Sequence, residues 1–439
     1  MRWIFMDNFR GFSETFVRLA SVSFLVGENS TGKSSFLALL QLFASPDFVI
    51  GLEFPTGGDS DLGGFKDIVS VASSDKSSFT VAMLCLQNIH QKTKRNSKEF
   101  SFVAMTFRDN DGLPKVSSYT TCQGERITTI RHGRDGLEYR VSTMPDYSAF
   151  TESDAKAFFI DWHHNFTSRG EFRTIPSTLP VRAPLPFVLS MLLTTLKGEP
   201  PSSDDLFSNL PLGTVGPISG KWLAPIRTRP RRIYEGVRTR FTPEGDHIPF
   251  VIRRTLGSGE SSQKFTELIK RFGESSGLFK MVKAHSFGRT TTAPFEISVS
   301  LLGKELNIGN VGYGVSQVLP VVVEMLTAPR QTLFAIQQPE VHLHPRAQAA
   351  LGDLIHHLAV HEDHKFVIET HSDYLIDRFR LRIKENSQPR DSQALFFQRG
   401  ATGNHVHELK INQRGQYPED QPKEFREFFI NEEVSLLEI

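Results

Sequence analysis

The chain has 439 residues, 39% of them hydrophobic, and a formal net charge of +1. That length exceeds what one simple core accommodates, so two lobes or one domain with a large insertion is expected. The near-neutral balance excludes a global field that would recruit nucleic acid or membrane. The two cysteines, Cys85 and Cys122, lack CxxC or Cys/His metal spacing and suit a reducing compartment.

Residues 2–26 read as a hairpin, with strands Arg2 to Phe9 and Phe16 to Val26 and no signal-peptide pattern. The apolar run Val22 to Val26 then feeds Gly27-Glu28-Asn29-Ser30-Thr31-Gly32-Lys33-Ser34-Ser35, a full G-x-x-x-x-G-K-S phosphate loop. Gly27 and Gly32 allow the tight turn that aims successive amides at a phosphate. Lys33 supplies a point charge for β/γ oxygens, and the Ser34 hydroxyl suits Mg²⁺. Apolar spacing from Ser34 to Phe43 predicts a helix whose N-terminus faces the anion. Gly27, Asn29, Ser30, Thr31, Gly32, Lys33, Ser34 and Ser35 are therefore the expected nucleotide-binding residues, with a nucleoside triphosphate as ligand.

Further along, residues 66–145 alternate polar and apolar side chains, which predicts an antiparallel sheet. Residues 150–198 read as helical, and Gly198 to Gly220 as a linker rich in Pro, Gly, Ser and Asp. The longest apolar stretch, Phe187 to Leu196, is too short to span a bilayer, so a cytoplasmic protein without membrane association is expected. Lys221 to Arg240 carries Arg227, Arg229, Arg231, Arg232, Arg238 and Arg240 against Glu235. It could hold nucleotide phosphate, a nucleic-acid backbone or an acidic partner, or be a solvated loop. A helix over Ser262 to Lys283 and a strand over Phe295 to Leu301 follow. Buried strands are expected at Leu333 to Ile336, Phe366 to Ile368 and Ala394 to Phe397. The absence of a long heptad tract speaks against a coiled-coil arm.

Three further segments sit between and after these strands: Gly312-Tyr313-Gly314-Val315-Ser316, Gln337-Gln338-Pro339-Glu340 with Val341-His342-Leu343-His344-Pro345, and Glu369-Thr370-His371-Ser372. With the phosphate loop, and in this order, they resemble ABC-type ATPases of the overcoming-lysogenization-defect (OLD) kind, including ATPase subunits of bacterial anti-phage systems. The resemblance covers most of residues 1–45 and 221–439, and reaches the tail from Gly415 to Phe429; residues 46–220 are family-like only as an insertion. It implies an α/β fold, an ABC-type P-loop ATPase head with a mixed sheet, an antiparallel β subdomain and a helical insertion. Domains would run 1–65, 66–220 and 221–439.

The resemblance also assigns roles. Gly312, Gly314 and Ser316 match the signature motif that faces the γ-phosphate held by a second subunit, so a homo-oligomer, at least a dimer sharing ATP sites, is implied. His344 and Pro345 match a loop crossing that interface, and His371 matches the switch histidine. The departure is at Gln337 and Gln338, where the family carries acids for the Mg²⁺ shell and the attacking water. A neutral amide ligates or orients but holds no metal electrostatically and accepts no proton. Gln337 is thus the candidate metal residue beside Ser34. Gln337, Gln338, Glu340 and His371 are the candidate catalytic set, with Glu340 either taking over the acidic role or standing at a helix start. No D-x-D cluster of a Toprim nuclease follows His371, so a separate nuclease or toxin effector is implied. Open alternatives are a recombination-type repair ATPase clamping DNA and a non-hydrolysing ATP-dependent scaffold.

Overall fold

The computed structural model describes residues 2–54, 61–71, 73–89, 97–123, 126–143, 151–166, 171–180, 182–196, 198, 220–257, 260–386, 390–425 and 427. The chain divides into two compact units. One comprises Met1–Leu19, Glu28–Ser219 and Phe397–Val406, the other Ala20–Gly27, Gly220–Phe396 and His407–Ile439.

In the first unit, β1 (Arg2–Asp7) and β2 (Thr15–Leu19) form an antiparallel hairpin. The expected second arm, Phe16 to Val26, breaks at Ala20-Ser21, and β3 (Val22–Gly27) belongs to another sheet. α1 (Lys33–Ala44) follows the glycine loop, then the short α2 (Pro46–Val49) and α3 (Phe65–Ile68). The alternating stretch is an antiparallel meander: β4 (Ser78–Ile89), β5 (Ser97–Asn110), β6 (Leu113–Gln123), β7 (Arg126–Gly133) and β8 (Gly136–Thr143). α4 (Glu152–Asp161) runs into a π-helical turn, Trp162–Phe166. The two-residue β9 (Arg173–Thr174) and α5 (Leu185–Leu196) complete the insertion. The region expected to be helical is thus interrupted, and most of the Gly198 to Gly220 linker lies outside the described residues. The eight strands order as β2-β1-β4-β5-β6-β7-β8-β9. α4 is seated by Phe158, Phe159 and Trp162 on a core of Trp3, Phe5, Phe102 and Ile127.

The second unit is built on parallel strands. After β10 (Gly220–Leu223) come α6 (Ile248–Thr255) and α7 (Glu260–Ser276). A small antiparallel sheet follows: β11 (Met281–Ser286), β12 (Phe295–Leu301) and β13 (Lys304–Asn307). The alternating helices and strands are then α8 (Tyr313–Thr327), β14 (Leu333–Gln337), α9 (Pro345–His361), β15 (Lys365–Glu369) and α10 (Asp373–Glu385). β16 (Ser392–Gly400) and β17 (Gly403–Ile411) close the chain's regular structure. The sheet order is β10-β14-β15-β3-β16-β17, with β10, β14, β15 and β3 parallel. Parallel strands covered by helices must be apolar on both faces; Phe334, Ile336, Phe366 and Ile368 are buried accordingly. The expected helix Ser262 to Lys283 stops at Ser276, because Gly277 takes φ +75° and terminates it before β11. The α/β class read from the sequence, with an antiparallel β subdomain and a sheet built on parallel strands, is that of the structure.

Candidate nucleotide site

β3 ends at Gly27 (φ +134°), and the chain turns through Ser30 (φ +62°) and Gly32 (φ +98°) into α1. Gly32 is required twice over. Its φ lies where L side chains are strained, and a Cβ there would come 2.4 Å from Phe12 Cζ. Phe12 is fully buried at the tip of the β1–β2 hairpin, and Asn404 N–H donates to the Gly11 carbonyl at 2.6 Å beside it. The loop is therefore buttressed by residues that local sequence reading does not single out. Inside it, Lys33 is only 4% exposed. Its Nζ donates to the Glu28 carbonyl at 2.6 Å, and the Thr31 hydroxyl donates to the same oxygen at 2.8 Å. Arg399 Nη2 donates to the Ser30 carbonyl at 3.0 Å, a second tether. Asn29, Ser30 and Ser34 are exposed and Ser35 half-buried. α1 has no side-chain N-cap and no acid in its first turn, so its positive end is uncompensated and suits an anion.

The second unit gathers a different set at the C-terminal edge of the parallel strands. Gln337, last in β14, registers with Glu369, last in β15, and Glu369 in turn with Leu25 of β3, two residues before Gly27. Gln337 Nε2 donates to Glu369 Oε2 at 3.3 Å. Gln338 has φ +41° and its N–H donates to the Glu369 carbonyl at 2.8 Å; His342 has φ +67°. Two non-glycine residues with positive φ in one short turn store strain, as functional turns do.

Glu340 is buried, not at a helix start, since α9 begins after the N-cap His344. Its Oε1 accepts the His371 N–H at 2.7 Å, while Oε2 has no hydrogen-bond partner among the described residues. Burial raises the Glu340 pKa, and the His371 N–H and Arg227 offset this only in part. His371 itself is exposed at the start of the α10 segment. Arg227 leaves the arginine run. It is 3% exposed, and its Nη2 donates to the Gln337 carbonyl at 3.1 Å. Burial lowers its pKa to about 10 against the raising field of Glu340. Two acids the amide positions lack are thus present nearby, Glu340 and Glu369. Glu369 was not singled out from the sequence, because its value depends on its register opposite Gln337.

The signature segment opens α8. Gly312 caps it with open space around its Cα, and Ser316 is buried with its hydroxyl donating to the Tyr313 carbonyl at 2.8 Å. A Cβ on Gly314 would sit 2.8 Å from the His342 carbonyl oxygen. The close approach that Gly314 permits is therefore to the strand-end turn of its own chain. Tyr313 reinforces that contact, its ring edge-on to His342 at 4.8 Å.

Strand, glycine loop and uncapped helix define a P-loop ATPase. Residues 2–127 and 250–376 match the AAA ATPase domain family AAA_15, more than half of the chain, and the protein belongs to that family. No curated protein matches it. Similar solved structures include an SmcHead bound to the C-winged helix domain of ScpA (10% identity, 94% of this chain and 98% of that one, TM-score 0.45). Another is the Pyrococcus furiosus Smc head domain with an extended coiled coil bound to the C-terminal domain of ScpA (10%, 99% and 100%, 0.44). The SMC head domain from Thermotoga maritima is more distant (11%, 93% and 98%, 0.35). The family assignment rests on the sequence match. Among the described residues no helix is long and apolar enough to cross a membrane.

Proposed function

We propose that this ATPase binds ATP with Mg²⁺, hydrolyses it slowly, associates head to head around the nucleotide, and thereby acts as a cytoplasmic sensor or scaffold for a separate effector, as OLD-like anti-phage subunits do. The observation that carries the reading is the phosphate loop with a buried Lys33 and an uncapped α1. Residues 1–65 and 221–439 would form the head and 66–220 its insertion. Gly27 and Asn29 to Ser35 would hold the phosphates, and the Ser34 hydroxyl, with Gln337, would hold Mg²⁺, which would neutralise phosphate charge there. Gly312, Gly314 and Ser316 serve the partner's nucleotide. The order of these motifs along the chain is what supports joining them in one reaction.

At the strand ends the chain's own groups divide the labour. Gln337 and Gln338 orient water without accepting its proton. Glu340, its carboxyl shifted upward by burial, is better matched to accept a proton near neutral pH than an ordinary exposed glutamate. Glu369 adds negative charge next to Gln337. His371, tied through its N–H to Glu340, senses the terminal phosphate. The paired amides also favour a second reading, a scaffold that binds ATP without turning it over.

Steady-state phosphate release from three proteins separates these accounts. Glu340→Gln should lower a slow wild-type rate by on the order of 10²–10⁴ if Glu340 is the base. Gln337→Glu should raise it if the amides alone limit turnover. No release from the wild type with intact ATP binding would establish the scaffold reading. Fast release surviving Glu340→Gln would overturn both.

A further inference from the structure

The arginine run is left unused by this reading once Arg227 is turned inward. Between Leu223 and Ile248 the chain has no helix or strand, yet it is held at intervals by its own backbone. Ala224 N–H donates to the Pro243 carbonyl at 3.2 Å and Thr228 N–H to the Glu244 carbonyl at 2.9 Å. Tyr234 exchanges two hydrogen bonds with Phe295 (2.8 and 3.0 Å), and Asn307 Nδ2 donates to the Arg232 carbonyl at 2.9 Å. The Tyr234 hydroxyl accepts the Arg231 N–H at 2.9 Å, and its ring is buried on Phe295 and Phe250. A Cβ on Gly245 would come 2.8 Å from Pro320 of α8, so the loop's return arm is also packed in place.

This fixed loop presents Arg229, Arg231, Arg232, Arg238 and Arg240 to solvent. Arg238 pairs with Asp246 at 3.1 Å. The side chains of the other four have no ion pair or hydrogen bond among the described residues, although Glu235 and Glu244 lie in the same loop. All five cations are arginines and none is lysine, which suits forked recognition of phosphate or carboxylate oxygens. The apolar neighbours decide between these. Ile226, Ile233 and Val237 are exposed at separate positions along the loop, and of its two aromatics Tyr234 is buried and Phe241 is half-buried against His247. A protein interface draws its affinity from a contiguous core with aromatic anchors, which this surface lacks. Among the described residues of the loop none exposes an aromatic ring of the kind on which single strands stack.

We propose that Arg229, Arg231, Arg232 and Arg240 form a preorganised site for the phosphodiester backbone of duplex nucleic acid, read without sequence preference. The site needs no bound nucleotide and stands or falls apart from the ATPase reading.

The test is anisotropy of a labelled duplex of arbitrary sequence, titrated with the full chain at several salt concentrations. The wild type should bind with a steep negative salt dependence. Arg231→Ala/Arg232→Ala/Arg240→Ala should bind roughly 10- to 100-fold more weakly at low salt, with the slope of log K against log salt reduced by about 3. Replacing the same three by Lys should restore most of that slope, which guards against a folding defect in the alanine variant. Removing three exposed lysines elsewhere, Lys270, Lys280 and Lys304, should leave binding nearly unchanged. Any of three results overturns the proposal: no wild-type binding at low salt, an equal loss in the lysine variant, or a poly-glutamate peptide outcompeting the duplex at equal charge. Lys33→Ala should bind the duplex normally, whatever it does to ATP.

Discussion

Lys33 carries a charge that is almost removed from water and satisfied by backbone oxygen within its own loop. A cation so placed is held ready for a stronger anionic partner, because the loop already fixes its direction. Replacing it by Ala deletes a charge-assisted hydrogen bond worth about 1.5–3 kcal/mol, so ATP affinity should drop by roughly 10- to 150-fold. Equilibrium dialysis with labelled ATP measures this, and unchanged affinity would remove the phosphate-loop assignment. Gly32 shows why the motif tolerates no side chain there. The obstacle is Phe12, twenty residues earlier, as much as the nucleotide. The same holds at Gly314, whose missing Cβ makes room for the His342 carbonyl. Both glycines were legible as residues in the sequence, but not the neighbours that require them.

Among the elements, α8 is pinned by a buried cluster that sequence reading passed over. Glu324, 2% exposed, accepts from His247 Nε2 at 2.8 Å and from Lys221 Nζ. These join the last turn of α8 to the N-cap of α6 and to β10. Burial pushes the Glu324 carboxyl upward, but the hydrogen bonds from His247 and Lys221 outweigh it and leave the pKa below its ordinary value. A carboxylate depressed on folding contributes stability above its unfolded pKa, and that contribution is lost as pH falls through the folded one. Glu324→Gln should therefore cost about 3 kcal/mol at pH 7, since it leaves a buried His247 and a partly buried Lys221 without their anion. The variant should also lose less stability than wild type between pH 5 and 3. Urea unfolding at both ends of that range checks it, and parallel losses would discount the cluster. Strands whose signal is local were readable, as β3, β14, β15 and β16 hold short apolar runs and β12 alternates apolar and polar residues. What failed depended on distant partners. The arm Phe16 to Val26 divides because Phe366 N–H bonds the Ser21 carbonyl and draws β3 into the parallel sheet. Nor could the local sequence name the acceptor of Arg227, which is the Gln337 carbonyl far along the chain.

For the whole molecule, the proposed ATP-driven association turns on α8. Its N-terminus carries no side-chain cap and no acid, so it presents a positive end that a partner's triphosphate could complete. Gly314 is a poor place to test this, because any side chain there collides with the His342 turn and would disturb the chain's own strand ends. Gly312 is a clean one. It has φ −56° and ψ 147°, open to any residue, and nothing within 4 Å of an added Cβ. Gly312→Asp should leave the isolated chain as stable as before or slightly more so, because an N-cap carboxylate favours the helix by about 0.3–1 kcal/mol. Facing a nucleotide polyphosphate, the same carboxylate meets like charge, at a cost of several kcal/mol. Binding of a fluorescent ATP analogue to single chains should then persist while ATP-dependent growth in light scattering disappears. Association that survives the substitution would take the signature segment out of the interface and leave it as the start of a core helix. Loss of both signals would place Gly312 in the chain's own nucleotide site, so crosslinking in the absence of ATP should accompany the scattering to separate that case from an assembly that never needed nucleotide.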